Sequence, residues 1–168
     1  ESSMVVERYA LDTGKLIARS GADNTMRTMC SYKDGKYLAL VQPIPGPEAV
    51  ETPMSQIAVY DPATGAMTTM ATLAGSYLNN VTYDAESDTA YYCCDATVYG
   101  VSMATGESRI SAYLPVNAWA GSDTTFAVLT GGMIAYANND GAYVRRLDAP
   151  EMTGGALITA NEGGKNKH

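Results

Sequence analysis

The chain has 168 residues, enough for one domain with a sizeable core and too few for two independent domains. Its 18 acidic and 11 basic side chains give a formal charge of −7, which repels phosphate backbones and argues against nucleic acid as a partner. No apolar run approaches the roughly 20 residues of a membrane span, and the polar start at 1–3 carries no signal peptide. A mature segment of an exported protein and a cytosolic protein would both begin this way.

The first predicted element is a hairpin at 4–20, with strands at 4–11 and 15–19 joined by an Asp-Thr-Gly turn. A longer unit follows, with a strand at 25–32, a turn at 33–36 and a continuous apolar strand at 37–41. The segment 43–53 carries four prolines and is predicted to be a loop, since proline removes donors from a β-ladder. A second hairpin at 57–70 closes this unit near residue 73.

Two further units repeat this order. The second has predicted strands at 77–83, 89–94, 97–102 and 107–114, and the third at 117–120, 124–130, 133–137, 142–147 and 156–160. The hairpin sequence itself recurs, as YALDTGKL at 9–16, IAVYDPATGAMTTM at 57–70 and VSMATGE at 101–107. A degenerate copy is LDAPEMTG at 147–154. Four short strands in each unit of about 40 to 50 residues is the period of a propeller blade.

The phrases YKDGKYL at 32–38 and YDAESDTAYY at 83–92, each followed by a strand and a Thr-Gly hairpin, carry a family resemblance. The chain resembles β-propellers of the YVTN, quinoprotein-like and surface-layer type, which occur in exported bacterial proteins. The resemblance covers about residues 4–160. The Gly-His and Trp-Asp pairs of WD repeats and the double-glycine pattern of Kelch repeats are absent.

The predicted fold is all-β, a β-propeller-like array of about three four-stranded antiparallel blades plus one leading hairpin. The blades are expected at about 24–73, 75–114 and 115–160, after the hairpin at 4–20, and 161–168 is a polar Gly-rich linker or tail. A β-sandwich is the alternative. A closed propeller carries roughly four to eight blades, so we expect a fragment of a longer protein or an arc whose open edge another copy or chain completes.

The first strand of each blade lines the central channel, and ligands usually meet propellers at the loops of its mouth. The predicted ligand-binding residues are Asn79, Asn80, Asn117 and Trp119, with Arg27 on the corresponding strand of the first blade. Amide groups and an indole would suit a protein or carbohydrate ligand. The alternative is structural, with Trp119 in the core and the asparagines in turns.

The cysteines are Cys30, Cys93 and Cys94, and neighbouring strand positions such as 93 and 94 point to opposite faces. We expect buried or half-buried thiols, with a vicinal disulfide or a bridge from Cys30 to one of the pair as the alternative. No Cys-x-x-Cys spacing exists, and the one histidine stands at the polar C-terminus, so neither a metal site nor a cofactor is predicted.

Catalytic signatures are missing: the chain has no Gly-x-Ser-x-Gly elbow and no phosphate-binding Gly-Lys loop, and only proximity favours Glu86 with Asp88 as an acid–base pair. The predicted function is therefore a non-catalytic binding or scaffold module, extracellular or attached to the cell surface. The resemblance implies an exported bacterial surface protein or lipoprotein, with an extracellular solute-binding domain as the attached partner. A quinoprotein-like or lactonase-like enzyme, with a metal or cofactor in the central channel, is the alternative, and a surface-layer role is a third hypothesis.

Overall fold

The computed structural model describes residues 6–20, 24–76, 78, 80–114, 125–138, 141–148 and 156–160. These ranges fold as antiparallel β-strands, with a single turn of 3-10 helix at Lys33–Gly35 and no α-helix among them. A leading hairpin of β1 (Val6–Tyr9) and β2 (Leu16–Ser20) precedes three four-stranded sheets. The expected all-β fold of about three four-stranded blades after one hairpin is confirmed.

Each sheet is a meander in which successive strands pair with one another. Blade 1 contains β3 (Asn24–Ser31), β4 (Tyr37–Pro43), β5 (Gln56–Asp61) and β6 (Ala66–Thr72). Blade 2 contains β7 (Val81–Asp84), β8 (Thr89–Cys94), β9 (Thr97–Ser102) and β10 (Ser108–Tyr113). Blade 3 contains β11 (Thr125–Leu129), β12 (Met133–Asn138), β13 (Gly141–Arg146) and β14 (Ala156–Ala160). No strand of one blade pairs within the sheet of another, so the described chain forms three separate four-stranded sheets.

Several strand ends differ from the sequence prediction. Pro43 ends β4 and stands opposite Asn24, because a proline at a strand end costs no interior ladder bond. The first described strand of blade 3 is β11, which begins at Thr125. Residues 115–124, with the predicted strand at 117–120, lie outside the described residues, as does the predicted tail at 161–168.

The recurring Thr-Gly phrase folds the same way three times. Gly14, Gly65 and Gly106 have φ of 65°, 75° and 76°, a left-handed backbone that glycine adopts without strain. Each donates its N–H to the carbonyl four residues earlier, at 2.8, 2.8 and 2.7 Å. In each copy the preceding threonine hydroxyl accepts the N–H two residues further on, at 3.4, 3.3 and 3.2 Å. The repeat is therefore a local hydrogen-bonding unit that closes each hairpin.

The core lies between blades, because alternate residues of each strand face opposite neighbours. In β4, Leu38 and Leu40 pack against blade 2, whereas Ala39 and Val41 belong to the cluster that Val6 of the leading hairpin contacts. In blade 2, Tyr92 packs towards blade 1 and Tyr91 towards blade 3. The first strands follow the same order, since β7 contacts both β3 and β11. The blades thus stack face to face around their first strands.

Candidate ligand-binding sites

Of the four predicted binding residues, the structure describes Asn80. It directly precedes β7, and its side-chain Nδ2 donates to the carbonyl of Phe126 at 2.8 Å, a partner 46 residues away in β11 of blade 3. One donor of this amide therefore joins two neighbouring first strands. Asn79, Asn117 and Trp119 lie outside the described residues, so the ligand-binding role of the four stays a prediction.

Arg27 lies on β3, the first strand of blade 1. The register with β4 shifts between Met26 and Thr28, which leaves Arg27 as the extra residue of a β-bulge with an exposed side chain. Bulges re-aim a side chain and commonly stand near functional sites. Arg27 remains a residue of the predicted channel.

The proline loop after β4 is held at its base by a buried polar network. Ser55 is fully buried and its hydroxyl donates to Oε1 of Gln42 at 2.9 Å, while Gln42 Nε2 donates to the carbonyl of Pro53 at 2.6 Å. The backbone N–H of Leu78 donates to the same Ser55 hydroxyl at 3.3 Å. The network therefore joins the loop to the connection that leads from blade 1 to blade 2 and to Asn80. The loop itself exposes apolar side chains, of which Val50 is 98% exposed.

A groove of about 360 Å³ opens between the outer part of blade 2 and blade 3, and we call it the interblade groove. On the blade 2 side, three neighbouring strands contribute one row of cross-strand pairs. Tyr91 of β8 stands opposite Gly100 of β9, and Gly100 stands opposite Arg109 of β10. A Cβ on Gly100 would lie 2.7 Å from Ser111 Oγ and 3.1 Å from the Tyr91 ring. Position 100 thus has no space for a side chain, and the glycine lets Tyr91 and Ser111 pack closely in this wall.

The blade 3 wall of the groove comprises Gly132, Arg146, Leu147 and Asp148. Arg146 Nε and Nη2 donate to the two oxygens of Asp148 at 2.8 and 3.1 Å. This hydrogen bonding lowers the pKa of Asp148, so its carboxylate is charged at neutral pH. The sequence analysis did not predict this groove; the lone glycine in a strand pattern, Gly100, indicates only a close approach of neighbouring groups.

A cluster of aromatic and charged side chains joins blades 1 and 2 at their first turns. Lys33 Nζ lies 2.8 Å from Asp88 Oδ2, and the Tyr83 hydroxyl donates to Asp88 Oδ1 at 2.8 Å. The hydrogen bonds from Lys33 and Tyr83 lower the pKa of Asp88, while burial and the Asp88 hydrogen bond raise the pKa of Tyr83 to about 12. Both Asp88 oxygens are engaged and Glu86 is exposed, so the arrangement is a clasp between blades.

The three cysteines are free thiols, each half-buried. Cys94 packs beside the core between blades 1 and 2, whereas Cys93 packs beside the core between blades 2 and 3, as strand alternation predicts. Burial raises the pKa of Cys30 and of Cys93 to about 11. The thiol interpretation of the sequence is confirmed, and the disulfide alternatives are not formed.

Within the described ranges, no group of three or more His, Cys, Asp or Glu side chains is placed to hold a metal ion. The same ranges contain no helical segment with the length and apolar character of a membrane span.

No protein-family model and no curated protein matches this chain. A solved gluconolactonase from Xanthomonas campestris aligns with a TM-score of 0.61 and 15% identity, over 92% of this chain and 56% of its own. The extracellular domain of a protein described as a one-component system from B. thetaiotaomicron aligns with a TM-score of 0.53 and 16% identity, over 86% of this chain and 19% of its own. The chain thus spans about half the length of the gluconolactonase. At these identities the likeness concerns the fold alone, and it agrees with a propeller-like architecture.

Proposed function

We propose that this chain is a non-catalytic binding or scaffold module, an arc of β-propeller whose open third blade is covered by a second copy of the chain. The observation that supports it is the outer face of blade 3. Blades 1 and 2 each have a face that the next blade covers, whereas the equivalent face of blade 3 has no neighbour among the described residues.

The outer face of blade 3 carries small apolar side chains. Ala127 stands opposite Ala135, and Ala135 opposite Val144, while Ala137 stands opposite Ala142. A shallow hollow of about 230 Å³ lies along these strands. Sheets pack against one another through such apolar faces.

The leading hairpin offers a complementary surface at the other end of the arc. Tyr9 and Ile17 are 51% and 53% exposed, although both are large hydrophobic residues. A head-to-tail pair of chains brings this hairpin against the outer face of blade 3 of its partner. Two copies contain six four-stranded sheets and two hairpins, which falls within the roughly four to eight blades of closed propellers.

Light scattering after size-exclusion chromatography tests this proposal. We expect a dimer at micromolar concentration, and we expect Ala135→Glu and Leu129→Glu to yield folded monomers, because each places a charge on the outer face of blade 3. Thr68→Glu is the matched control, since Thr68 is an exposed residue of β6 in blade 1. A wild-type monomer at all concentrations overturns self-association, as does a dimer that both blade 3 variants leave intact.

The same proposal includes location and family. We propose an exported bacterial surface protein of the YVTN or surface-layer type, attached to a further extracellular domain. Its support is the repeat pattern and a fold shared with an extracellular domain. Labelling of intact cells of the source organism by antibodies raised against the chain tests it, and labelling only after lysis contradicts it.

A lactonase-like enzyme is the second candidate function, because the fold shared with the gluconolactonase covers 92% of this chain. Hydrolysis of gluconolactone, measured with and without added calcium, magnesium or zinc, distinguishes the two. We expect no rate above the uncatalysed reaction, and a metal-dependent rate that scales with protein concentration would favour the enzyme.

A further inference from the structure

Arg109 has no hydrogen-bond or ion-pair partner among the described residues of this acidic chain. Every other arginine in the described ranges has at least one interaction, such as the ion pairs of Arg19 and Arg146, whereas Arg109 makes no hydrogen bond or ion pair with a described residue. A guanidinium presents its donors in a planar fork that fits the two oxygens of a carboxylate. An exposed arginine in a chain of formal charge −7 is thus a cation available to an external anion.

The position of Arg109 adds shape to this charge. It lies on the wall of the interblade groove, in line with Gly100 and the ring of Tyr91. Tyr91 is buried and offers an apolar surface beneath, whereas Ser111 and the exposed Asp148 supply hydroxyl and carboxylate groups at the rim. The volume of about 360 Å³ suits a small molecule or the end of a peptide.

We propose that the interblade groove binds a small carboxylate, with the Arg109 guanidinium pairing both carboxylate oxygens. The body of the ligand lies against Tyr91 and Leu147, and its polar groups reach Ser111 and Asp148. This proposal rests on the assignment of the chain as a binding module. A sugar acid and the C-terminal carboxylate of a peptide share this chemistry.

Two carboxylate probes distinguish these sources. In an NMR titration of the ¹⁵N-labelled chain we expect galacturonate or N-acetyl-dialanine to shift the Arg109 Nε–Hε resonance. The neutral analogues galactose and N-acetyl-dialanine amide should not shift it. The probe that binds identifies the source. Equal binding of a probe and its neutral analogue overturns the proposal. The absence of any shift at a probe concentration of about 20 mM also overturns it, because even a dissociation constant in the millimolar range would give a shift there.

Variants locate the site. Arg109→Gln should weaken binding of the probe about tenfold or more, since it removes a charge-assisted pair. Lys15→Gln is the control, because it removes one positive charge from an exposed turn of the leading hairpin. Equal weakening by both variants would show a general charge effect and overturn the proposal.

The groove lies within a single chain, so this titration is independent of self-association. A monomer that binds the carboxylate would refute the dimer and keep the groove. A dimer that binds no carboxylate would do the opposite.

Discussion

Replacement of Ser55 by alanine should lower the free energy of unfolding by more than the removal of a hydroxyl at the surface would. The hydroxyl is fully buried, donates to Gln42 Oε1 at 2.9 Å and accepts the N–H of Leu78 at 3.3 Å. The Ser55→Ala variant removes the hydroxyl from both of these buried hydrogen bonds. A buried polar group that loses its hydrogen bond costs about 1–3 kcal/mol. Because local relaxation of the structure recovers part of this cost, we expect a loss of about 2 kcal/mol in the free energy of unfolding.

Urea denaturation followed by circular dichroism measures this loss. Ser76→Ala is the matched control, because the Ser76 hydroxyl makes one hydrogen bond, to the Pro53 carbonyl at 2.8 Å, and is only half-buried. The control should cost about 1 kcal/mol or less, since water can replace that bond. If Ser55→Ala costs no more than Ser76→Ala, the buried network does not hold the base of the proline loop and this reasoning is refuted.

Three further predictions concern the groove, the clasp and the thiols. Gly100→Ala should lower the free energy of unfolding by about 1–3 kcal/mol through overpacking, whereas Gly46→Ala, whose Cβ meets no atom within 4 Å, should not; equal urea midpoints would contradict this. Asp88→Asn should destabilise the chain at pH 7. Because the folded pKa of Asp88 is lowered, its contribution is present above about pH 4 and disappears as the pH falls through the folded pKa; a difference from wild type that persists at pH 2 would refute it. Cys30 and Cys93 should react with dithionitrobenzoate about 100-fold more slowly than an unfolded thiol at pH 7.5, and rapid reaction in the native chain would contradict their burial.

The blade architecture could be predicted because its signals are local. The Thr-Gly hairpins at Gly14, Gly65 and Gly106 use hydrogen bonds between residues at most five apart, so the sequence pattern contains the whole unit. Alternation in β4 likewise assigns Leu38 and Ala39 to opposite faces. Of the five strands predicted for the third unit, those at 124–130, 133–137, 142–147 and 156–160 correspond to β11 to β14, and the one at 117–120 lies outside the described residues.

The candidate sites depend on contacts between distant residues. Asn80 meets Phe126 across two blades, which no local pattern indicates. The interblade groove combines Tyr91 and Arg109, which both pair with Gly100 of β9, with Leu147 and Asp148 of another blade.

The sequence by itself determined the strand period, the repeated hairpins, the acidic charge and the alternation that places each side chain on one face of a blade. Only the tertiary structure decided which faces meet, which arginine lacks a partner among the described residues and where two blades leave a groove between them. The physical reason is range: turn geometry and strand alternation are set by neighbours along the chain, whereas a binding surface exists only when separate sheets pack together.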